Sequence, residues 1–136
     1  MPRRSPGEIR SQLPLRNSGH VRRTVIQGLS ASANRQIAQF ERERQLSRGD
    51  VAGAFLRWER RATRPHNSMR WHYRHSEVST EHIRALLETV LWNLRPRARR
   101  ELLAVLAPVD TRILGRTVND PFAPRFLPWW QRRLEI

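Results

Sequence analysis

The amino-acid sequence predicts an all-α fold: a compact bundle of about four helices, with a disordered basic N-terminal arm and a C-terminal strap rich in proline and aromatic residues. Apolar residues recur every three or four positions in four stretches, which is the spacing of one helix face. Glycine, proline or helix-capping residues separate these stretches. The 136 residues are enough for one domain with a buried core.

The N-terminal residues 1–30 hold several prolines and glycines among arginines, and no apolar period persists through them. A segment of this composition buries too little apolar surface to fold alone. We therefore predict a disordered basic arm over residues 1–30 and a single helical domain over residues 31–136.

The first predicted helix covers residues 32–46. Ile37 and Phe40 lie on its apolar face, and Ser32 or Asn34 could cap its N-terminus. Glu41 and Glu43 alternate with arginines and are therefore expected to form surface ion pairs.

The second predicted helix covers residues 51–63. Gly49 suits the left-handed position that ends the first helix, and Asp50 suits the cap of the second. Pro65 should end it, because the residue before a proline avoids helical backbone. Its apolar stripe consists of Val51, Ala54, Phe55, Trp58 and Ala62. Residues 65–79 show no clear period and are predicted to be a loop.

The third predicted helix, residues 80–94, has the most regular apolar stripe and a capping residue at Ser79 or Thr80. The short Arg95-Pro96 connection predicts that the next helix, residues 97–117, runs antiparallel to it. The stripe of the third helix is Ile83, Leu86, Leu87, Val90, Leu91 and Leu94, and that of the fourth is Leu102, Leu103, Leu106, Val109, Ile113 and Leu114.

Pro108 lies inside the fourth predicted helix, where it removes one backbone hydrogen bond. The apolar phase continues beyond it, which favours a kink over a break between two helices. Farther on, residues 119–130 contain three prolines and cannot form a regular helix. We expect the aromatics of this strap, Phe122, Phe126, Trp129 and Trp130, to cover a groove of the helical core.

The formal net charge is +14, and all 26 basic residues are arginine. Such a charge favours anionic partners: nucleic-acid phosphates, acidic proteins or anionic lipid. A G+C-rich coding sequence could explain why arginine replaces lysine. It does not explain the excess of 26 basic residues over 12 acidic residues. The absence of cysteine excludes disulfides, thiolate metal sites and cysteine catalysis. No apolar stretch approaches the ~20 residues of a membrane span, and no apolar segment follows the basic start, so a cytoplasmic location is expected.

Two clusters could bind nucleic acid. In the loop, Arg70 and Arg74 flank Trp71 and Tyr73, a pattern that could hold phosphates while the rings stack on unpaired bases. The same rings could instead be ordinary core anchors. His66, His72 and His75 add the remote alternative of a metal site.

The second cluster comprises Arg95, Arg97, Arg99 and Arg100 at the start of the fourth helix. The free N–H groups and positive dipole end of a helix N-terminus favour phosphate there. Four cations at a positive helix end also repel it unless an anion binds, and a solvated charge run is the alternative interpretation.

The C-terminal strap offers a third candidate surface. Trp129, Trp130, Arg132 and Arg133 could bind a protein partner, since exposed tryptophan and arginine are typical hot-spot residues. The two tryptophans could equally cover the protein's own core.

No catalytic motif is present, so the sequence predicts a non-enzymatic protein without a cofactor. The leading hypothesis is a binding protein that contacts nucleic-acid phosphates through arginine clusters with little sequence specificity. The alternative is a helical adaptor for an acidic partner protein.

Overall fold

The computed structural model describes residues 24–63 and 80–135. In these residues the chain forms helices α1 (Ala31–Glu43), α2 (Asp50–Thr63), α3 (Thr80–Asn93) and α4 (Pro96–Arg116), then strand β1 (Thr117–Asn119), a short 3-10 helix (Trp129–Gln131) and strand β2 (Arg133–Glu135). The predicted helical bundle is confirmed. The purely α class is wrong in one respect, because β1 and β2 pair as a small antiparallel sheet with Val118 opposite Leu134.

Residues 24–30 pack against the helices. Ile26 is buried in the core, and its backbone exchanges hydrogen bonds with the Asn34 side chain at 3.2 and 3.4 Å. The packed part of the chain therefore includes residues that the sequence assigned to the arm. The rest of the predicted arm, residues 1–23, and the loop predicted over 65–79 lie outside the described residues.

Helix α1 is capped by Ser30 rather than by Ser32 or Asn34. The Ser30 hydroxyl accepts a hydrogen bond from the Ala33 N–H at 3.1 Å. The Ser30 N–H and hydroxyl both donate to the carboxylate of Glu101 at 2.9 Å. Glu101 thus takes the part that a glutamate of α1 itself would play in a capping box. This cap ties the start of α1 to α4.

Helix α1 ends at Glu43, three residues earlier than predicted, because Gln45 adopts the left-handed conformation with φ 58°. The Gln45 N–H donates to the Arg42 carbonyl at 3.2 Å, and the Leu46 N–H donates to the Glu41 carbonyl at 2.8 Å. These two bonds form a Schellman motif. Gly49 also has positive φ, but it lies beside the start of α2 and does not end α1.

Glu41 is buried, with 2% of its surface exposed, so its expected role in a surface ion pair is wrong. Its Oε2 accepts hydrogen bonds from the N–H groups of Gly49 and Val51, both at 3.0 Å. These groups belong to the N-terminus of α2, where a carboxylate satisfies free donors and the helix dipole. Asp50, the expected cap, instead accepts from the Ser47 N–H at 2.8 Å.

The predicted apolar stripes form the core. The whole stripe of α2 is buried, and so are most positions of the α3 and α4 stripes. Leu103 and Leu114 are exceptions, with 44% and 42% of their surfaces exposed, because α4 turns them away from the buried line of Leu102, Leu106 and Ile113. Helix α4 continues through Pro108, so the predicted single helix is confirmed.

A polar cluster lies beneath the C-terminal strap. Arg84 of α3 is 4% exposed and donates to both carboxylate oxygens of Asp110 in α4, at 3.1 and 2.9 Å. It also donates to Glu88 at 2.8 Å, and the Trp58 indole N–H donates to Asp110 at 2.8 Å. Burial alone would lower the pKa of Arg84, but the bonds and charges of the two carboxylates outweigh it and raise that pKa.

The strap closes over this cluster through Trp129 and Trp130, whose ring centroids lie 5.8 and 4.7 Å from the Arg84 guanidinium. Trp130 is buried and Trp129 is half-buried against Trp58. The expectation that strap aromatics cover the core is therefore confirmed for the tryptophans. It is wrong for Phe122 and Phe126, which are 93% and 85% exposed.

Candidate nucleic-acid interface

An open groove of about 840 Å³ lies between α1, the loop that follows α1 and the α3–α4 connection. Its charged rim is made by Arg35 and Arg42 of α1, Arg48 of the loop and Arg95 of the connection. All four arginines are exposed. The other lining residues are Ser32, Gln36, Ala38, Gln39, Glu41 and Leu46.

Local structure sets the positions of these cations. Arg35 and Arg42 are seven residues apart, which places them on the same face of α1 two turns from each other. The Schellman motif at Gln45 reverses the chain so that Arg48 returns to the groove. The Gln36 side chain accepts a hydrogen bond from the Arg95 N–H at 3.0 Å, which holds the α3–α4 connection beside α1.

Glu41 is the carboxylate among the groove residues. Its Oε2 is already bonded to the two N–H groups of α2, while its Oε1 has no hydrogen-bond partner among the described residues. One buried carboxylate offsets only part of the charge of the four rim arginines, so the groove has a net positive charge.

The arginine cluster at the start of α4 divides into two kinds of residue. Arg95, Arg97 and Arg100 are exposed. Arg99 instead donates from Nε to the Leu91 carbonyl at 2.8 Å and from Nη2 to the Leu94 carbonyl at 3.0 Å. These carbonyls belong to the last turn of α3 and to the residue that follows it, so Arg99 caps the C-terminus of that helix.

Trp92 stands next to this cluster and is 68% exposed. Its indole N–H donates to Glu88 at 3.1 Å, and the Arg99 guanidinium lies 5.2 Å from its ring centroid. The ring is thus held by two neighbours while most of its surface faces solvent. A fixed, exposed aromatic surface among cations can stack on a planar base.

Two further arginines cap helix C-termini. Arg116 donates to the carbonyls of Arg61 and Ala62 at the end of α2, at 3.2 and 2.7 Å. Arg133 donates to the carbonyls of Leu114 and Thr117 at the end of α4, at 3.2 and 2.7 Å. Part of the arginine excess therefore serves the fold, and Arg133 of the proposed partner surface is one of these caps.

The other predicted site residues either lie outside the described part of the chain or pack against the core. Arg70, Trp71, Tyr73, Arg74, His66, His72 and His75 all lie outside the described residues. Trp129 and Trp130 lie on the protein's own core, and Arg132 is half-buried beside them. Among the described residues no group of three or more histidine, aspartate or glutamate side chains is arranged to hold a metal ion.

The sequence did not identify Arg35, Arg42, Arg48 or Trp92 as candidate site residues. The seven-residue spacing of Arg35 and Arg42 was a usable signal, whereas Arg48 and Arg95 join them only through tertiary structure. Over the described residues, no helix has the length and apolar character needed to cross a membrane. Comparison of the chain with protein-family models, curated proteins and solved structures finds no match.

Proposed function

We propose that this protein binds the phosphate backbone of nucleic acid, with little sequence specificity, along the groove rimmed by Arg35, Arg42, Arg48 and Arg95. The observation that carries the proposal is the convergence of four exposed arginines from three chain segments on one open groove. Such clustering is the electrostatic footprint expected of a nucleic-acid binder.

Arginine suits this role because its planar guanidinium donates two parallel hydrogen bonds to a phosphate. Like charges around one groove repel one another, and a bound polyanion removes that repulsion. Contacts to phosphate carry no sequence information, which is why we expect little discrimination among sequences.

Arg97 and Arg100 extend the same positive surface from Arg95 along the first turn of α4. Trp92 is the proposed stacking residue on this side. Bases are available for stacking only where strands are unpaired, so the arrangement favours single-stranded over double-stranded nucleic acid.

The test is fluorescence anisotropy with labelled single- and double-stranded oligonucleotides across ~50 to 200 mM salt. Each lost phosphate contact lowers the slope of log K against log salt by about 0.7 on a single strand. An Arg35→Gln/Arg42→Gln variant should therefore bind more weakly, with a slope reduced by about 1.4.

The matched control is Arg57→Gln/Arg60→Gln, which removes the same charge from two exposed positions of α2 outside the groove. It should leave the affinity nearly unchanged. Equal loss in both variants would mean that general surface charge, and not the groove, holds the nucleic acid. Trp92→Ala should weaken single-strand binding more than double-strand binding.

A further inference from the structure

Two phenylalanines project from the strap at matching positions of consecutive turns. The Ala123 N–H donates to the Asp120 carbonyl at 3.3 Å, and the Leu127 N–H donates to the Pro124 carbonyl at 3.2 Å. Each bond closes a four-residue turn, and the third residue of each turn is a phenylalanine, Phe122 and Phe126.

The loop that carries them is fixed at its base. The Asp120 N–H donates to the Arg132 carbonyl at 2.7 Å, which extends the pairing of β1 with β2. Trp130 anchors the returning segment in the core, and the Asp120 side chain accepts from the Phe122 N–H at 2.9 Å. The phenyl groups are therefore held outward by ordered backbone.

Nearly complete exposure of two neighbouring phenylalanines leaves a large apolar area in water. Phe122 is 93% exposed and Phe126 is 85% exposed, although the tryptophans of the same strap are packed. Apolar groups that project together in this way are typical of a surface that meets a partner. The nearby cross-strand pair Val118 and Leu134 adds two half-exposed apolar side chains.

An exposed cation accompanies these rings. Arg125 lies between Phe122 and Phe126 in the sequence and is exposed. Asp120, at the base of the loop, is half-buried and accepts a hydrogen bond from the Phe122 N–H. The tips of the loop therefore present apolar groups beside an exposed arginine, and the carboxylate of residues 120–128 lies at the base.

We propose that residues 120–128 form a membrane-surface anchor, in which Phe122 and Phe126 enter the interface of an anionic lipid bilayer and Arg125 contacts its phosphates. Each ring projects from a turn and is almost fully exposed. A bilayer accepts projecting apolar groups without a complementary pocket, and anionic lipid adds attraction for arginine. A second copy of the chain fits less well, because each copy carries a net charge of +14.

The anchor is distinct from the arginine groove. Arg95 precedes the first residue of α4, whereas the loop follows its last residue by way of β1. A helix of 21 residues is about 30 Å long, so the two surfaces lie at opposite ends of α4. Stacking of the phenyl rings on bases held in the groove is therefore disfavoured.

The experiment measures co-sedimentation of the full chain with phosphatidylcholine vesicles, with and without phosphatidylserine, in the absence of nucleic acid. Phe122→Ser/Phe126→Ser should lower partitioning onto the anionic vesicles at least about tenfold. Arg125→Gln should lower it about fivefold, and only on vesicles containing phosphatidylserine. Leu103→Ser, which changes an exposed apolar residue on α4, is the matched control and should bind as the parent does.

Urea unfolding of the double variant should match the parent, because the exposed rings contribute little to the core. Equal vesicle binding by parent and double variant would overturn the proposal and assign the lipid binding to general charge. No binding to anionic vesicles would also overturn it. Loss of oligonucleotide binding or of self-association in the double variant, without any vesicle binding, would reassign the rings to nucleic acid or to a second copy.

Discussion

Arg84 of α3 and Asp110 of α4 form a two-point ion pair inside the protein, with N–O distances of 3.1 and 2.9 Å. Trp58 donates to the same carboxylate, and Trp130 covers the guanidinium. The pair thus connects α2, α3, α4 and the strap at one point, and its loss should lower the stability of the whole fold.

Arg84→Met should lower the free energy of unfolding by about 3 kcal/mol, because the partly buried Asp110 would lose its charge partner. Urea denaturation followed by circular dichroism measures this change. Arg84→Met/Asp110→Leu should recover part of the loss, since an apolar pair leaves no uncompensated charge. A double variant as unstable as the sum of both single variants would contradict this account.

The stability contribution of Arg84 should not depend on pH near neutrality. Its pKa is raised in the folded protein, so the contribution is fully present below the ordinary arginine pKa and is lost only as pH rises through the still higher folded value. The difference in unfolding free energy between the parent and Arg84→Met should be constant between about pH 6 and pH 9. A difference that declines across this interval would mean that another group titrates with the pair.

Glu41→Ala should destabilise the protein by about 1–2 kcal/mol, because two N–H groups at the start of α2 would lose their acceptor. Glu43→Ala is the matched control. Glu43 is exposed and its carboxylate accepts one hydrogen bond from Gln39, so its removal should change stability by less than about 0.5 kcal/mol. Equal effects in urea titrations would refute the capping role of Glu41.

Gln45→Gly should raise the unfolding free energy by about 0.5–1 kcal/mol, because glycine adopts the left-handed conformation without strain. Gln39→Gly is the comparison, since residue 39 lies inside α1, where glycine costs about 0.5–1 kcal/mol. Thermal unfolding of both variants should therefore show shifts of opposite sign.

Two substitutions in the arginine cluster should have different effects, one on stability and the other on oligonucleotide affinity. Arg99→Ala removes the cap of α3 and should lower stability by about 1–2 kcal/mol. Arg97→Ala should leave stability within about 0.5 kcal/mol and should weaken oligonucleotide binding instead. If Arg97→Ala lowered stability as much as Arg99→Ala, the division of the cluster would be wrong.

Much of the helical fold was predictable because its signals are local. The stripe from Val51 to Ala62 is one face of a helix in any context, and Pro96 marks a helix start. The positions that were missed depend on distant partners. Nothing near Ser30 indicates that Glu101, from another helix, completes its cap. Gln45 is not a typical left-handed residue, so the true end of α1 had no sequence signal.

The candidate site was predictable only in part, for the same reason. Arg95, Arg97 and Arg100 stand out as a run in the sequence. Arg48 lines the groove only because the chain reverses direction at Gln45. Arg99 is not available to phosphate in the same way, because its guanidinium donates to carbonyls at the end of α3. Composition cannot separate arginines that cap helices from arginines that face solvent.

The surface beneath the strap has a consequence for how the protein behaves when the strap detaches. Trp129 and Trp130 cover the Arg84 guanidinium and also pack on the apolar core, Trp129 against Trp58. Detachment would hydrate the Arg84–Asp110 ion pair and, at the same time, expose indole rings that are packed in the folded protein. Local opening at this end should therefore create an aggregation-prone surface, and hydrogen exchange of the strap should report how often it forms.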